Sequence, residues 1–228
     1  MKKSIFLSLL SLLGSAFAEQ ITILGINDMH ANIDGVPRLT TCVRQEREKA
    51  PHLLLLSAGD NRTGNPYVDC GDHPGASMIK LMNHIGFDLS ALGNHEFDNG
   101  MEELSRRLSN LEVPVVCANY DFTGTPLEGQ VQPYVILEKA GVRIGVIGLL
   151  TDVHDVVDTH IADMLKYQNP VEVTQKYATM LKEQEGCKLV MCLTHLGFEN
   201  EPYEIGDNAP LDDYGLSMLS IIVNENGE

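Results

Sequence analysis

The sequence predicts an α/β fold in which helices cover a largely buried, mixed β-sheet. Three observations carry this. Short apolar strand-like runs alternate with longer amphipathic segments along most of the chain. The run Leu53–Ser57 is continuously apolar up to its serine, the pattern of a strand buried on both faces. The segments 134–138 and 142–149 flank Ala140-Gly141, which reads as a hairpin turn and adds an antiparallel pair.

The elements follow in order. Ile21–Ile26 is the first strand and 36–49 the first helix. Leu53–Ser57 leads into Ala58-Gly59-Asp60. A helix over 76–85 precedes a short strand, 88–92, that runs into Gly93. Met101, Leu104, Leu108 and Leu111 recur at helical spacing, and 113–118 is a strand. Val171, Thr174, Ala178 and Leu181 mark a helix with Pro170 at its start, and 189–193 is a strand. The apolar stretch 216–223 fits either helix or strand.

Composition narrows the function classes. The chain has 228 residues, 43% of them hydrophobic, enough for a substantial core. Its formal net charge is −16, so it should repel nucleic-acid polymers and anionic membrane surfaces. A phosphate substrate would be repelled as well unless cations sit in the site. Lys2 and Lys3, the apolar run 5–13 and Ala16-Phe17-Ala18 form an export-signal pattern with cleavage expected after Ala18. No later stretch is apolar enough to span a membrane, so an exported, periplasmic or extracellular protein without a stable membrane span is expected. Export permits disulfides, but five cysteines leave at least one unpaired. Cys117, Cys187 and Cys192 lie in or beside apolar runs and are expected to be buried thiols.

The chemistry collects at strand ends. Four strand candidates run into Asn27-Asp28-Met29-His30, Gly59-Asp60, Gly93-Asn94-His95 and Thr194-His195. Ligands of open α/β sheets bind outside the carboxyl ends of strands, and parallel strands would bring these ends to one edge. Carboxylate oxygens and imidazole nitrogens suit divalent transition metals. Asp60 stands alone on its loop, and its two oxygens could bridge two ions that clamp a phosphoryl group. Taken singly, Asp28 could be a cap, Asp60 an Asx turn, Asn94 a left-handed turn residue and His195 a core imidazole. Recurrence at four strand ends is what those separate readings explain poorly. His52, His84, His154 and His160 lack ligand spacing, and His73 belongs to a surface loop.

These segments, with the longer run Gly93-Asn94-His95-Glu96-Phe97-Asp98 and Thr194-His195-Leu196-Gly197, resemble the calcineurin-like metallophosphoesterase superfamily. The Gly-Asn-His-Glu-Phe-Asp form is similar to the 5'-nucleotidase and 2',3'-cyclic-nucleotide phosphodiesterase branch. The resemblance covers roughly residues 20–200. It implies a four-layer α/β/β/α sandwich and a centre of two divalent ions, drawn from Zn, Mn, Fe, Mg or Co. Asp28, His30 and Asp60 look like ligands of the first ion, with Asp60 the bridge. Asn94 and His195 look like ligands of the second. His95 resembles the catalytic histidine and Asp98 the carboxylate that orients it. The implied reaction is hydrolysis of small phosphate esters, nucleotides above all, by metal-activated water.

The family's later Gly-His-x-His motif, one further ligand for each metal, has no counterpart here, since no histidine follows His195. Asp207, Asp212 and Asp213 are the candidate substitutes. Ala31 stands where the family has a second glycine. The expected division is a signal peptide at 1–18, a phosphoesterase domain at 19–198, incomplete at its C-terminal side, and a divergent acidic tail at 199–228. Truncation, completion by a partner supplying the missing part, and a rebuilt site are three readings of this pattern. A site short of two imidazoles is expected to bind metal less tightly, at the second site above all, and this chain alone is expected to show weak or no activity. The alternative function is a non-catalytic relic or binding module that keeps the fold.

Overall fold

The structure, a computed structural model, describes residues 19–154, 156–196 and 217–223, with side chains left out at Glu19 and throughout 217–223. The export signal, residue 197 of the last motif, and Asp207, Asp212 and Asp213 lie outside the described residues.

The first half of the chain winds β1 (Glu19–Ile26), α1 (Val36–Lys49), β2 (Leu53–Ser57), the short α2 (Pro66–Asp69), α3 (Ala76–Ile85), β3 (Leu89–Ala91) and α4 (Met101–Leu108). The second half adds β4 (Val115–Val116), β5 (Tyr120–Asp121), β6 (Val131–Gln132), β7 (Tyr134–Lys139), β8 (Val142–Leu150), the short α5 (Thr159–Ala162), β9 (Lys166–Tyr167), α6 (Pro170–Glu183), β10 (Leu189–His195) and β11 (Ser217–Val223). The stretch that fitted helix or strand from sequence is thus the strand β11.

Side-chain parity explains the layering. Along β1 and β2, Ile21, Ile23, Leu54 and Leu56 point into one cluster, while Leu24, Ile26, Leu53 and Leu55 point into another with Val36, Leu39, Met78 and Met82 of α1 and α3. Alternate residues of a strand face opposite sides, so both faces of this sheet are buried. On β8, Val142, Ile144 and Val146 join Ile21 and Leu54, whereas Ile147 and Leu149 meet Val173 and Leu181 of α6. The order through the molecule is therefore α1 and α3, a first sheet, a second sheet, and α6.

The first sheet has the order β11-β1-β2-β3-β4-β6 and the second β10-β8-β7; β5 and β9 form a small separate ribbon. In the first sheet β1, β2, β3, β4 and β6 run parallel, with β11 antiparallel on β1. In the second sheet β10 runs parallel to β8, and β7 pairs with β8 as a hairpin. Ala140 and Gly141 both have positive φ (50° and 71°), the backbone of a two-residue primed turn, so the predicted hairpin is present.

Three expectations are corrected here. The hairpin does not make one mixed sheet; it belongs to a second sheet stacked on the first. Likewise β10 brings His195 from that second sheet, so the four strand ends meet across the end of a sandwich and not along one edge. Cys117 and Cys187 are buried as expected, but Cys192 is exposed. It lies on β10, at the edge of its sheet, with its neighbour Leu193 facing the core.

The sheets approach closely where β8 passes β4. A Cβ added at Gly148 would sit 2.4 Å from the Val116 carbonyl carbon and oxygen. Backbone cannot yield as a flexible side chain can, so Gly148→Ala is expected to cost about 1–3 kcal/mol. The check is a melting temperature several degrees below that of the parent chain; an unchanged value would mean that the sheets separate freely there.

Candidate metal and phosphoester site

Two glycines let the β2 and β3 loops cross. Gly59 has φ +105°, and a Cβ there would lie 2.5 Å from the Gly93 nitrogen. A Cβ on Gly93 would lie 2.1 Å from Asp60 Oδ1. With both positions bare, Asp60 Oδ1 accepts the His95 N–H at 2.9 Å. The β1 loop is stitched alongside: the Asp28 amide donates to the Gly59 carbonyl (3.1 Å) and the His30 amide to the Asp60 carbonyl (3.0 Å).

Asp60 is the centre of the site and only 3% exposed. Its Oδ2 lies 3.2 Å from His195 Nε2 and 3.9 Å from His30 Nε2. His30 Nε2 is 3.6 Å from Asp28 Oδ1, and His195 Nε2 is 3.2 Å from Asn94 Oδ1. Each imidazole is held from behind by a backbone carbonyl. His30 Nδ1 lies 2.9 Å from the Thr63 oxygen and His195 Nδ1 lies 3.0 Å from the Ala58 oxygen. A carbonyl requires Nδ1–H, which leaves each Nε2 as a lone pair aimed at oxygen acceptors. Lone pairs facing lone pairs need a cation or a proton between them. Two triads meet that need, His30 with Asp60 and His95, and Asp28 with Asp60 and His195, each with ligand atoms within 4.8 Å of one another.

The donor set therefore fits divalent ions that accept nitrogen and oxygen, with Asp60 common to both groups. The carboxylate differs from expectation in one respect. Oδ1 is committed to the His95 amide, so Oδ2 alone faces both imidazoles. Burial by itself would raise the Asp60 pKa, but His195 and the His95 amide outweigh it and hold the carboxyl below its ordinary range. Burial would lower the His195 pKa, yet Asp60 holds it above the usual value. The two shifts have the signs expected of one attracting pair.

Beside this centre, His95 Nδ1 lies 3.0 Å from Asp98 Oδ2, and the His95 ring stands edge-on to His30 with centroids 5.1 Å apart. All seven residues singled out from the sequence, Asp28, His30, Asp60, Asn94, His95, Asp98 and His195, are thus linked in one network. Asn94 does not hold a left-handed turn; its φ is −74°. Positive φ falls instead on Asp28 (51°), His30 (43°), Ala31 (55°), Asp60 (52°) and Thr63 (70°). The value at Ala31 is one that glycine adopts without strain.

Sequence reasoning missed the residues that support this cluster, among them Glu96, Arg107 and Arg62. Glu96 is buried, and its Oε2 accepts the Asp60 and Gly93 amides (3.0 and 2.7 Å) while Oε1 accepts the Asn61 amide (2.9 Å). It thereby fastens the Asp60 loop to the Gly93 turn. Burial and the nearby Asp60 charge raise its pKa against the pull of those amides. Arg107, also buried, donates to the Glu96 carbonyl. Arg62 binds Asn99 and, at 3.1 Å, Asp69. Burial would raise the Asp69 pKa, but the Gly64 amide, Arg62 and the Asn65 amide together keep it low, so the loop is tied down by a charged carboxylate. Glu96 sits inside the recognised run Gly93–Asp98, which was the available signal. Arg62 and Arg107 had none, being bonded across 7 to 37 residues.

A four-layer sandwich with an Asp-His-Asn cluster at its strand ends defines a metallophosphoesterase. A family model for calcineurin-like phosphoesterases matches residues 21–221, and the chain belongs to that family. It is 36% identical over 208 residues to a 5'-nucleotidase of Vibrio cholerae, covering 85% of this chain and 36% of that protein. It is 32% identical over 213 residues to a snake venom 5'-nucleotidase of Gloydius brevicauda, covering 85% and 35%. Among solved structures, a 5'-nucleotidase precursor from Thermus thermophilus superposes with a TM-score of 0.71 at 28% identity, covering 78% of this chain and 38% of that one. The chain thus spans a little over a third of the length of these two curated relatives.

Proposed function

We propose that this chain hydrolyses phosphate esters, with nucleotides the favoured substrates, at the cluster centred on Asp60. The observation that carries the reading is the position of Asp60 Oδ2 between the Nε2 atoms of His195 and His30, both tautomers being set by backbone carbonyls. On the family's pattern Asp28, His30 and Asp60 would hold one ion and Asp60, Asn94 and His195 the other; the triads of this structure share Asp60 as that pattern does but set Asp28 with His195. Divalent ions there would polarise a phosphoryl oxygen and lower the pKa of water. Asp98 orients the His95 ring through Nδ1, which turns its second nitrogen toward charge developing on the phosphoryl group or leaving oxygen. The 5'-nucleotidase names of the relatives support the substrate class, and the venom origin of one supports export. Among the described residues no helix is long and apolar enough to cross a membrane.

The test is phosphate release by the purified full chain, supplemented with Mn²⁺ or Zn²⁺, from AMP, UMP and a simple aryl phosphate. Metal-dependent release above a chelated control, faster with nucleotides, is expected. Saturation with metal but no release from any ester would remove the catalytic reading and leave a metal-binding module.

A further inference from the structure

We propose that Thr63 is a positioning residue that couples the metal cluster to the His95–Asp98 pair. The inference rests on the phosphoesterase reading and adds to it a residue that neither binds metal nor touches the reacting atoms. Three observations converge on it. The Thr63 carbonyl faces His30 Nδ1 at 2.9 Å and so turns His30 Nε2 toward Asp28 and Asp60. The Thr63 hydroxyl donates to Asp98 Oδ2 at 2.6 Å, the same oxygen that His95 Nδ1 approaches at 3.0 Å. The residue holds φ +70°, a conformation that is an outlier for a β-branched side chain.

The strain is informative because glycine would hold that backbone without it, and would keep the carbonyl on His30. Glycine has no side chain with which to reach Asp98, as the Thr63 hydroxyl does. Strained backbone persists where surrounding structure over-determines it, and here the surroundings do. Gly64, next in the chain, packs so closely on the His30 backbone that a Cβ there would lie 2.7 Å from the His30 oxygen. Asp69 accepts the Gly64 and Asn65 amides at 2.7 and 2.9 Å and clamps the far side of the turn. On the other side Arg62 is held by Asn99 and Asp69, so the loop is pinned on both flanks of Thr63. A carboxylate that receives two donors on one oxygen cannot rotate without losing both. The hydroxyl thus fixes the plane of Asp98, and Asp98 fixes the ring of His95.

The experiment compares Thr63→Val, Thr63→Ser and Thr63→Gly in the full chain, with three readouts. The first is the ring ¹⁵N and Nδ1–H signals of His95 and His30 in ¹⁵N-histidine-labelled, metal-free protein. The second is kcat and KM with Mn²⁺ on AMP. The third is the melting temperature. Thr63→Val is expected to broaden or shift the His95 Nδ1–H signal while His30 keeps its own. It should lower kcat about 10-fold or more with KM little changed, in line with outer-shell changes at metal sites. Thr63→Ser should restore both. Thr63→Gly should melt no lower than the parent chain yet lose the His95 signal, which separates positioning from folding. A Thr63→Val protein with an unchanged His95 signal and unchanged kcat would overturn the proposal. If Thr63→Val does not fold, Thr63→Gly decides: a retained His95 signal overturns the coupling and a lost one supports it. If the parent chain hydrolyses nothing, the phosphoesterase reading fails, while the NMR comparison still decides the coupling.

Discussion

His95→Ala is expected to lower turnover by about 10²–10³-fold, the range for loss of one preorganised group that stabilises developing charge. Metal binding should survive, because Asp28, His30, Asp60, Asn94 and His195 all remain. Asp98→Asn should fall in the same direction by less. Its amide can still meet His95 Nδ1–H through oxygen, but a neutral acceptor holds that donor less firmly than a carboxylate does. The control is metal affinity by calorimetry on the same preparations. His95 also lies within ligand distance of His30 and Asp60. If His95→Ala abolished metal binding along with turnover, His95 would be a ligand and its role as a free imidazole would fall.

Asp60→Asn should have the larger effect on metal. Asp60 belongs to both ligand groups, so a single substitution should weaken both sites together. The loss should reach at least the roughly 10–100-fold that outer-shell changes produce at metal sites. Folding should be less affected. The amide oxygen can still accept the His95 N–H, and Glu96 still fastens the loop through backbone amides. Calorimetric titration with Mn²⁺ separates these outcomes. Loss at one site with the other intact would contradict the shared carboxylate.

Much of the fold was legible because burial leaves a simple mark. Leu53–Ser57 reads as a two-sided buried strand and is one, and Ala140-Gly141 reads as a turn and is one. The division into two sheets was not legible from residue pattern alone. β8 is buried on both faces, and that pattern is the same whether the second face meets a helix or another sheet. Only the family resemblance carried the four layers. The exposure of Cys192 was hidden for a related reason: edge position is a property of pairing, which local composition does not encode.

The site was legible where chemistry sits on the sequence itself. Aspartate, asparagine and histidine at strand ends named the residues that the structure brings together. What was hidden is how they are held. The left-handed backbone at Asp28, His30 and Asp60 lacks the glycine that usually betrays it. The supports Glu96 and Thr63 act across 33 to 36 residues in most of their contacts. Such partners become visible only once the chain is folded.

The most direct measurement is the anomalous scattering of crystals of this chain grown or soaked with Zn²⁺ or Mn²⁺. A peak is expected within about 2.0–2.2 Å of Asp60 Oδ2 and of a histidine Nε2, from His30 or His195, with a second, weaker peak between Oδ2 and the other of these histidines. Ion density elsewhere on the surface, or none at Asp60 under saturating metal, would contradict the account.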